Sequence, residues 1–181
     1  MGDFDEINKK LKELNHGIIT FSENLKFKNQ QEFDLSEELD LEKVFQIPHS
    51  KGIYLFEIKK EPSTLSFDKW MSEIQKKWET EPIRNSPKVT QKYKEKHTNS
   101  LDGWIPFYLG KSEKIMKRIK EHLSLDSDSS TYALKLKARS KFHKETFRLS
   151  FIEIETEYYD LVMHKIEYEL RKQYNPIIGK Q

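Results

Sequence analysis

A mixed α+β domain built around a small sheet is predicted by three observations. Residues 52–58, 104–109 and 147–154 are short segments rich in β-branched and aromatic side chains. Other segments repeat apolar residues every three to four positions, as one face of a helix does. The two kinds follow one another as strand, helix, strand, helix, helix, strand, helix, which is a mixed α+β order.

Taken from the N-terminus, Asp5 to Leu14 carries Ile7, Leu11 and Leu14 at helical spacing, and Ile18 to Phe21 reads as a brief strand. An acidic helix is expected from Leu35 to Phe45, ending before Pro48. Gly52 to Ile58 is a buried strand. Ser66 is placed to cap a helix whose stripe is Phe67, Trp70, Met71, Ile74 and Trp78. Glu81 to Gly103 reads as a loop, and Trp104 to Leu109 as a second strand stopped by Gly110. Ser112 is an N-cap candidate for a helix with Ile115, Ile119 and Leu123 on its inner face. A turn over 124–130 and a short helix from Thr131 to Arg139 follow. Phe147, Leu149 and Phe151 alternate as a strand running to Ile154. A last helix from Glu157 to Tyr174, burying Tyr159, Val162, Met163, Ile166 and Leu170, is ended by Asn175-Pro176.

Composition narrows the function. The 181-residue chain is 34% charged and 35% hydrophobic, with 12% aromatics to nucleate a core. It has no cysteine, which excludes a disulfide scaffold, a thiol nucleophile and a Cys-containing zinc site. No apolar run approaches the roughly 18–20 residues of a membrane span, and no signal-peptide pattern opens the chain. A soluble, cytoplasmic protein is expected. The net charge of +2 is a cancellation: residues 1–50 hold 6 Lys/Arg against 11 Asp/Glu, and residues 51–181 hold 26 against 19. An acidic extension (1–50) therefore precedes a basic domain (51–181), whose local excess suits a polyanion.

Gly-rich phosphate loops, serine nucleophile elbows and HExxH zinc motifs are missing from the sequence. What it offers instead is Tyr54 on one strand and Tyr108 on the next, with Lys111 just beyond Gly110. Lys111, Lys114, Arg118 and His122 recur every three or four residues along one side of the next helix. Glu167 borders the buried stripe of the last helix, and His164 one turn earlier mimics a metal-ligand spacing by incident of sequence. Two basic clusters would track phosphates without reading sequence: Arg84, Lys88, Lys92, Lys94 and Lys96 around Tyr93, and Lys135, Lys137 and Arg139.

In these residues the chain resembles the GIY-YIG nuclease family. Gly52-Ile53-Tyr54 matches its first signature, and Tyr108-Leu109-Gly110 its second with Leu in place of Ile. The family arginine falls on Arg118, ten residues past Tyr108, and the histidine of its restriction-enzyme branch on His122. Its metal-binding glutamate falls on Glu167, nine residues before Pro176. Two departures stand out. The signatures are separated by a long stretch, so residues 60–103 would be an insertion, and Gly179 stands where the family tends to carry Asn.

The resemblance implies a mainly antiparallel three-stranded sheet flanked by helices and a metal-dependent DNA endonuclease, in restriction or phage defence. Tyr54, Tyr108 or His122 would take the proton of the attacking water. Lys111 beside Tyr108 would lower the phenol's pKa from its usual value of about 10. Arg118 would bind phosphate oxygens, and Glu167 would hold one Mg2+ or Mn2+. Double-stranded DNA is the expected partner. A duplex cutter with one site per chain would gain from forming a homodimer, for which no motif is legible. The competing expectations are a GIY-YIG-like module that binds nucleic acid without cutting, and a structure-specific repair nuclease.

Overall fold

The computed structural model describes residues 2–44, 46, 49–61, 66–90, 97 and 103–179. Its elements are α1 (Gly2–Asn24), β1 (Lys28–Asp34), the single turn α2 (Leu41–Val44), β2 (Gly52–Lys60), α3 (Phe67–Thr80), β3 (Gly103–Ser112), α4 (Ile115–Ser124), β4 (Thr146–Glu153) and α5 (Tyr159–Tyr174). Two short 3-10 turns, Leu136–Ala138 and Ser140–Phe142, precede β4. The sheet has the order β1-β4-β2-β3 with every pairing antiparallel. None of the described helices is long and apolar enough to cross a membrane.

β2 lies inside the sheet and is buried on both faces, which is why it reads as an unbroken apolar run. Tyr54, Phe56 and Ile58 pack with Trp70, Ile74 and Trp78 of α3 and with Ile115, Ile119 and Leu123 of α4. Ile53 and Leu55 pack on the opposite face with Met163, Ile166 and Leu170 of α5. Helices therefore cover both faces, and their approach to the β3 edge defines the region of interest. Ser66 caps α3 as its sequence suggests, its Oγ accepting from the Lys69 N–H at 3.4 Å.

β3 gains its special geometry from a bulge. Phe56 pairs with Tyr108 and Glu57 with Pro106, leaving Phe107 unopposed. Proline lacks the N–H that a regular ladder needs, and an extra residue beside it is a common way to accommodate that loss. The bulge resets the alternation, so Phe107 and Tyr108 enter the same core cluster although they are adjacent. Beyond it Leu109 points to the α5 face. The segment after α5 turns back through Asn175, which is left-handed at φ 51, and covers the β3 edge. The N–H groups of Ile177 and Ile178 donate to Pro106 O at 3.0 Å and Phe107 O at 2.8 Å.

Several expectations are corrected. The sheet has four strands, not three. The added one, β1, has Phe33 as the one buried residue among its described side chains, too little apolar pattern to announce a strand. β1 pairs with β4, and Ile18, Leu25 and Phe27 pack on the α5 side of the core, so residues 18–34 join the sheet and its α5 face. Residues 18–21 continue α1 instead of forming a strand, because Ile18 and Ser22 lie one turn apart on the side facing the body. The acidic helix of 35–45 shrinks to the single turn α2 within the described residues. The 131–139 helix is replaced by irregular backbone, a left-handed Lys135 and a 3-10 turn at Leu136–Ala138. β3 does not stop at Gly110 but runs to Ser112, and α4 starts at Ile115 with Ser112 Oγ accepting from the Lys114 N–H at 3.0 Å.

Gly110 is required where it stands. It pairs with Tyr54 across the ladder, and a Cβ built on it would run into the Tyr54 hydroxyl. Gly110→Ala is expected to lower the unfolding free energy by about 1–3 kcal/mol, measured by denaturant titration. The cost should be smaller in a Tyr54→Phe background, where that oxygen is gone. Equal costs in both backgrounds would contradict the contact.

Candidate active site

A cavity of about 380 Å3 opens at the β3 edge between α4 and α5. Tyr54, Tyr108, Gly110, Lys111, Arg118, Tyr132, His164, Glu167, Tyr168, Arg171 and Lys172 line it. The sheet supplies the phenols, α4 supplies Arg118 from one face, and α5 supplies Glu167 and Arg171 from the other. Five residues singled out in the sequence (Tyr54, Tyr108, Lys111, Arg118 and Glu167) thus meet at one place.

The interior wall is a chain of buried hydrogen bonds. Tyr54 Oη lies 2.8 Å from His122 Nε2. On the other side of that ring, Nδ1 accepts the Leu134 backbone N–H at 3.0 Å. A ring nitrogen that accepts carries no proton, so the neutral imidazole must carry its hydrogen on Nε2 and donate it to Tyr54. Burial, and then the Arg118 charge, holds the His122 pKa well below its ordinary value. His122 is therefore a neutral donor to Tyr54. Both its nitrogens are engaged and the residue is fully buried, so it meets no solvent water directly. Of the three bases left open by the sequence, this geometry favours the phenols.

Burial raises the Tyr54 pKa well above the usual value, and neighbouring Tyr108 adds to that, while Arg118 pulls the other way. Tyr108 is raised for the same primary reason, opposed by Arg171 and Arg118. Lys111, expected beside Tyr108, follows it by three residues and so projects from the opposite face of the strand. It lies over the Tyr159 ring, 5.2 Å from its centroid. The cations acting on the phenols are arginines.

Arg118 is braced by Glu121 Oε2 at 2.7 Å and by the Tyr132 carbonyl at 2.6 Å. Arg171 stands one helical turn after Glu167 and reaches its Oε1 through Nε at 3.2 Å and Nη2 at 3.1 Å. The same guanidinium donates to the Leu109 carbonyl and lies 5.7 Å from the Tyr108 ring centre. A Cβ on Gly179 would come within 2.8 Å of Arg171 Nη1, so glycine at that position makes room for the arginine. Arg171 was not singled out by the sequence reading, although its place four residues after Glu167 is a legible i,i+4 signal. His164, set aside above as incidental, lines the same cavity.

Among the described residues there is no group of three or more His, Asp or Glu side chains that could hold a metal ion. Among the described lining residues Glu167 is the one carboxylate, with His164 a turn away. Such a set fits a hard divalent cation only if water and substrate oxygens complete its shell.

The basic clusters are placed differently from the expectation. Lys135 is fully buried, its Nζ donating to Ser129 O at 2.6 Å and to Arg84 O. Arg139 is also buried, donating to Leu134 O at 2.9 Å, Trp78 O at 2.8 Å and Ser86 Oγ at 2.5 Å while stacking on Trp78. Desolvation lowers its pKa to about 10. Neither side chain is presented to a polyanion. They fasten the 129–139 segment that delivers the Leu134 N–H to His122. Lys137 is bonded to Leu39 O at 3.3 Å, whereas Arg84 and Lys88 are exposed. Lys92, Lys94 and Lys96, with Tyr93, lie outside the described residues.

No family model, curated protein or solved structure matches the chain.

The His122 arrangement has a spectroscopic signature. Followed by nitrogen-15 NMR, its ring nitrogens are expected to show the Nε2–H tautomer and no titration near the ordinary histidine value of about 6.5. Stability follows the same sign. The unfolded imidazole takes a proton near pH 6.5 while the folded one resists it, so stability falls as pH drops below about 6.5. A ring that titrates normally would contradict the buried donor.

Proposed function

We propose that the cavity binds a phosphodiester of double-stranded DNA and hydrolyses it. The observation that carries this reading is the convergence of Arg118 and Arg171 with two buried phenols and Glu167 on one small cavity. Planar, permanently charged guanidinium groups from two faces can clamp the oxygens of a tetrahedral phosphate and neutralise the charge that grows in the transition state. Lys111 and Lys172 add charge on the wall.

Tyr54 Oη, once it has given its own hydrogen to solvent and stands as a phenolate, would take the proton of the attacking water, and the departing DNA oxygen would be protonated from solvent. As the acceptor of His122 Nε2–H it has its own hydrogen free to leave toward the cavity, and the phenolate that results keeps two donors, His122 and Arg118. Tyr108, on the same wall, would orient the water. Glu167 would hold one Mg2+ or Mn2+, which as a Lewis acid would supply further neutralisation of the phosphate. Glu167 Oε1, which would hold the ion, also accepts from Arg171, whose guanidinium stays anchored on the Leu109 carbonyl at the cavity wall.

A second reading, DNA binding without cleavage, is favoured by the one lining carboxylate being paired with Arg171. The two separate on plasmid and oligonucleotide duplexes incubated with Mg2+ or Mn2+. Wild type should nick or cut, while Arg118→Ala and Glu167→Ala should each lose on the order of 100-fold or more in rate. Wild type that nicks no faster than these variants would overturn the enzyme. Because the base is a phenol raised by burial, the rate should climb through neutral pH with no plateau set by a histidine near 6.5.

A further inference from the structure

We infer that α1 is the docking helix for a second copy of this chain, packed antiparallel along an apolar seam. With residues 18–21 helical, Phe4, Ile7, Leu11, Leu14, Ile18 and Phe21 fall at intervals of three, four, three, four and three. That is the a/d pattern of a two-helix seam. Five of the six are 46–76% exposed, and Ile18 is half-buried where the helix meets its own body.

The C-terminal half of α1 is held by the body through Ile18 and buried Ser22, and its first half projects beyond that contact. Every residue from 3 to 17 is exposed, so among the described residues the first half of α1 packs against no other element. A projecting segment of that length is marginal as an isolated helix, and Gly17 within it costs about 1 kcal/mol more. Its stability has to come from burial of the stripe.

The stripe is complementary to itself when reversed. About a midpoint between Lys12 and Glu13, Phe4 meets Phe21 of the second copy, Ile7 meets Ile18 and Leu11 meets Leu14, so each layer joins side chains of equal kind. Beside the seam Asn8 faces Asn15 of the second copy and Lys10 faces Gly17, so like charges do not oppose each other. Antiparallel packing also sets each helix N-terminus beside the other's C-terminus, the favourable dipole arrangement. Two such stripes, with Phe side chains that bury 150–250 Å2 each, together cover on the order of 1,000 Å2, the area a specific pair needs. This inference does not depend on the cavity cutting DNA.

Sedimentation equilibrium or light scattering on the full chain tests it. Wild type should have twice the 21.7 kDa chain mass at micromolar concentration. Ile7→Asp/Leu11→Asp should weaken association at least about 100-fold. Because both positions are exposed, the fold read by near-ultraviolet circular dichroism should be unchanged. The chain has no cysteine, so orientation can be read by cross-linking. Leu11→Cys protein mixed with Leu14→Cys protein should form the mixed disulfide in preference to either homodisulfide. A monomeric wild type, a dimer that survives the double substitution, or Leu11→Cys linking chiefly to itself would each overturn the proposal.

Discussion

The buried bond between Tyr54 and His122 is the constraint around which the cavity is organised. An imidazole and a phenol face to face inside a core are stable only if their protons are assigned without conflict, since an unsatisfied buried polar group costs about 1–3 kcal/mol. The assignment comes from outside the pair. Leu134 N–H fixes the tautomer, and Leu134 is set in place by a segment that Lys135 and Arg139 hold from within. Two buried cations that do not line the cavity thereby fix Tyr54 Oη as the acceptor of the His122 hydrogen, leaving its own hydrogen to face the cavity.

The second requirement is access to both faces of a sheet from one point. An edge strand offers that, because helices on opposite faces can both reach its rim. The Phe107 bulge is what turns Tyr108 toward the α4 side while Leu109 turns to α5. Gly110 then leaves room for the Tyr54 hydroxyl. Arg118 arrives over one face and the Glu167–Arg171 pair over the other, and the cavity is the space they leave. Among the described residues its wall carries four cations and one carboxylate, a balance suited to a polyanion that brings its own negative charge.

Much of this was readable from local pattern. The strands β2, β3 and β4, the α3 cap and the helix carrying Arg118 follow from aromatic runs and 3.6-residue stripes that belong to single segments. Tyr54, Tyr108, Arg118 and Glu167 were found because they repeat the order and spacing of a known signature. What was missed depends on pairing across the chain. β1 is a strand because β4 offers it a partner, not because Lys28–Asp34 has strand composition. Lys135 and Arg139 look like solvated charges until tertiary carbonyls are found to surround them. Lys111 misled because its nearness in sequence to Tyr108 hides the fact that it lies on the opposite face. The α1 heptad was hidden by one local choice, since Ile18 to Phe21 is β-branched enough to pass for a strand and so cuts the repeat in two.

The account stands or falls on Tyr54 acting through its oxygen. Single-turnover cleavage of a labelled duplex with Mn2+ by wild type and Tyr54→Phe, with DNA affinity measured in parallel, is the most direct test. The account expects affinity to change by no more than about twofold while the rate falls by roughly 100- to 10,000-fold, the range for loss of a general base. A Tyr54→Phe protein that cleaves as fast as wild type would contradict it.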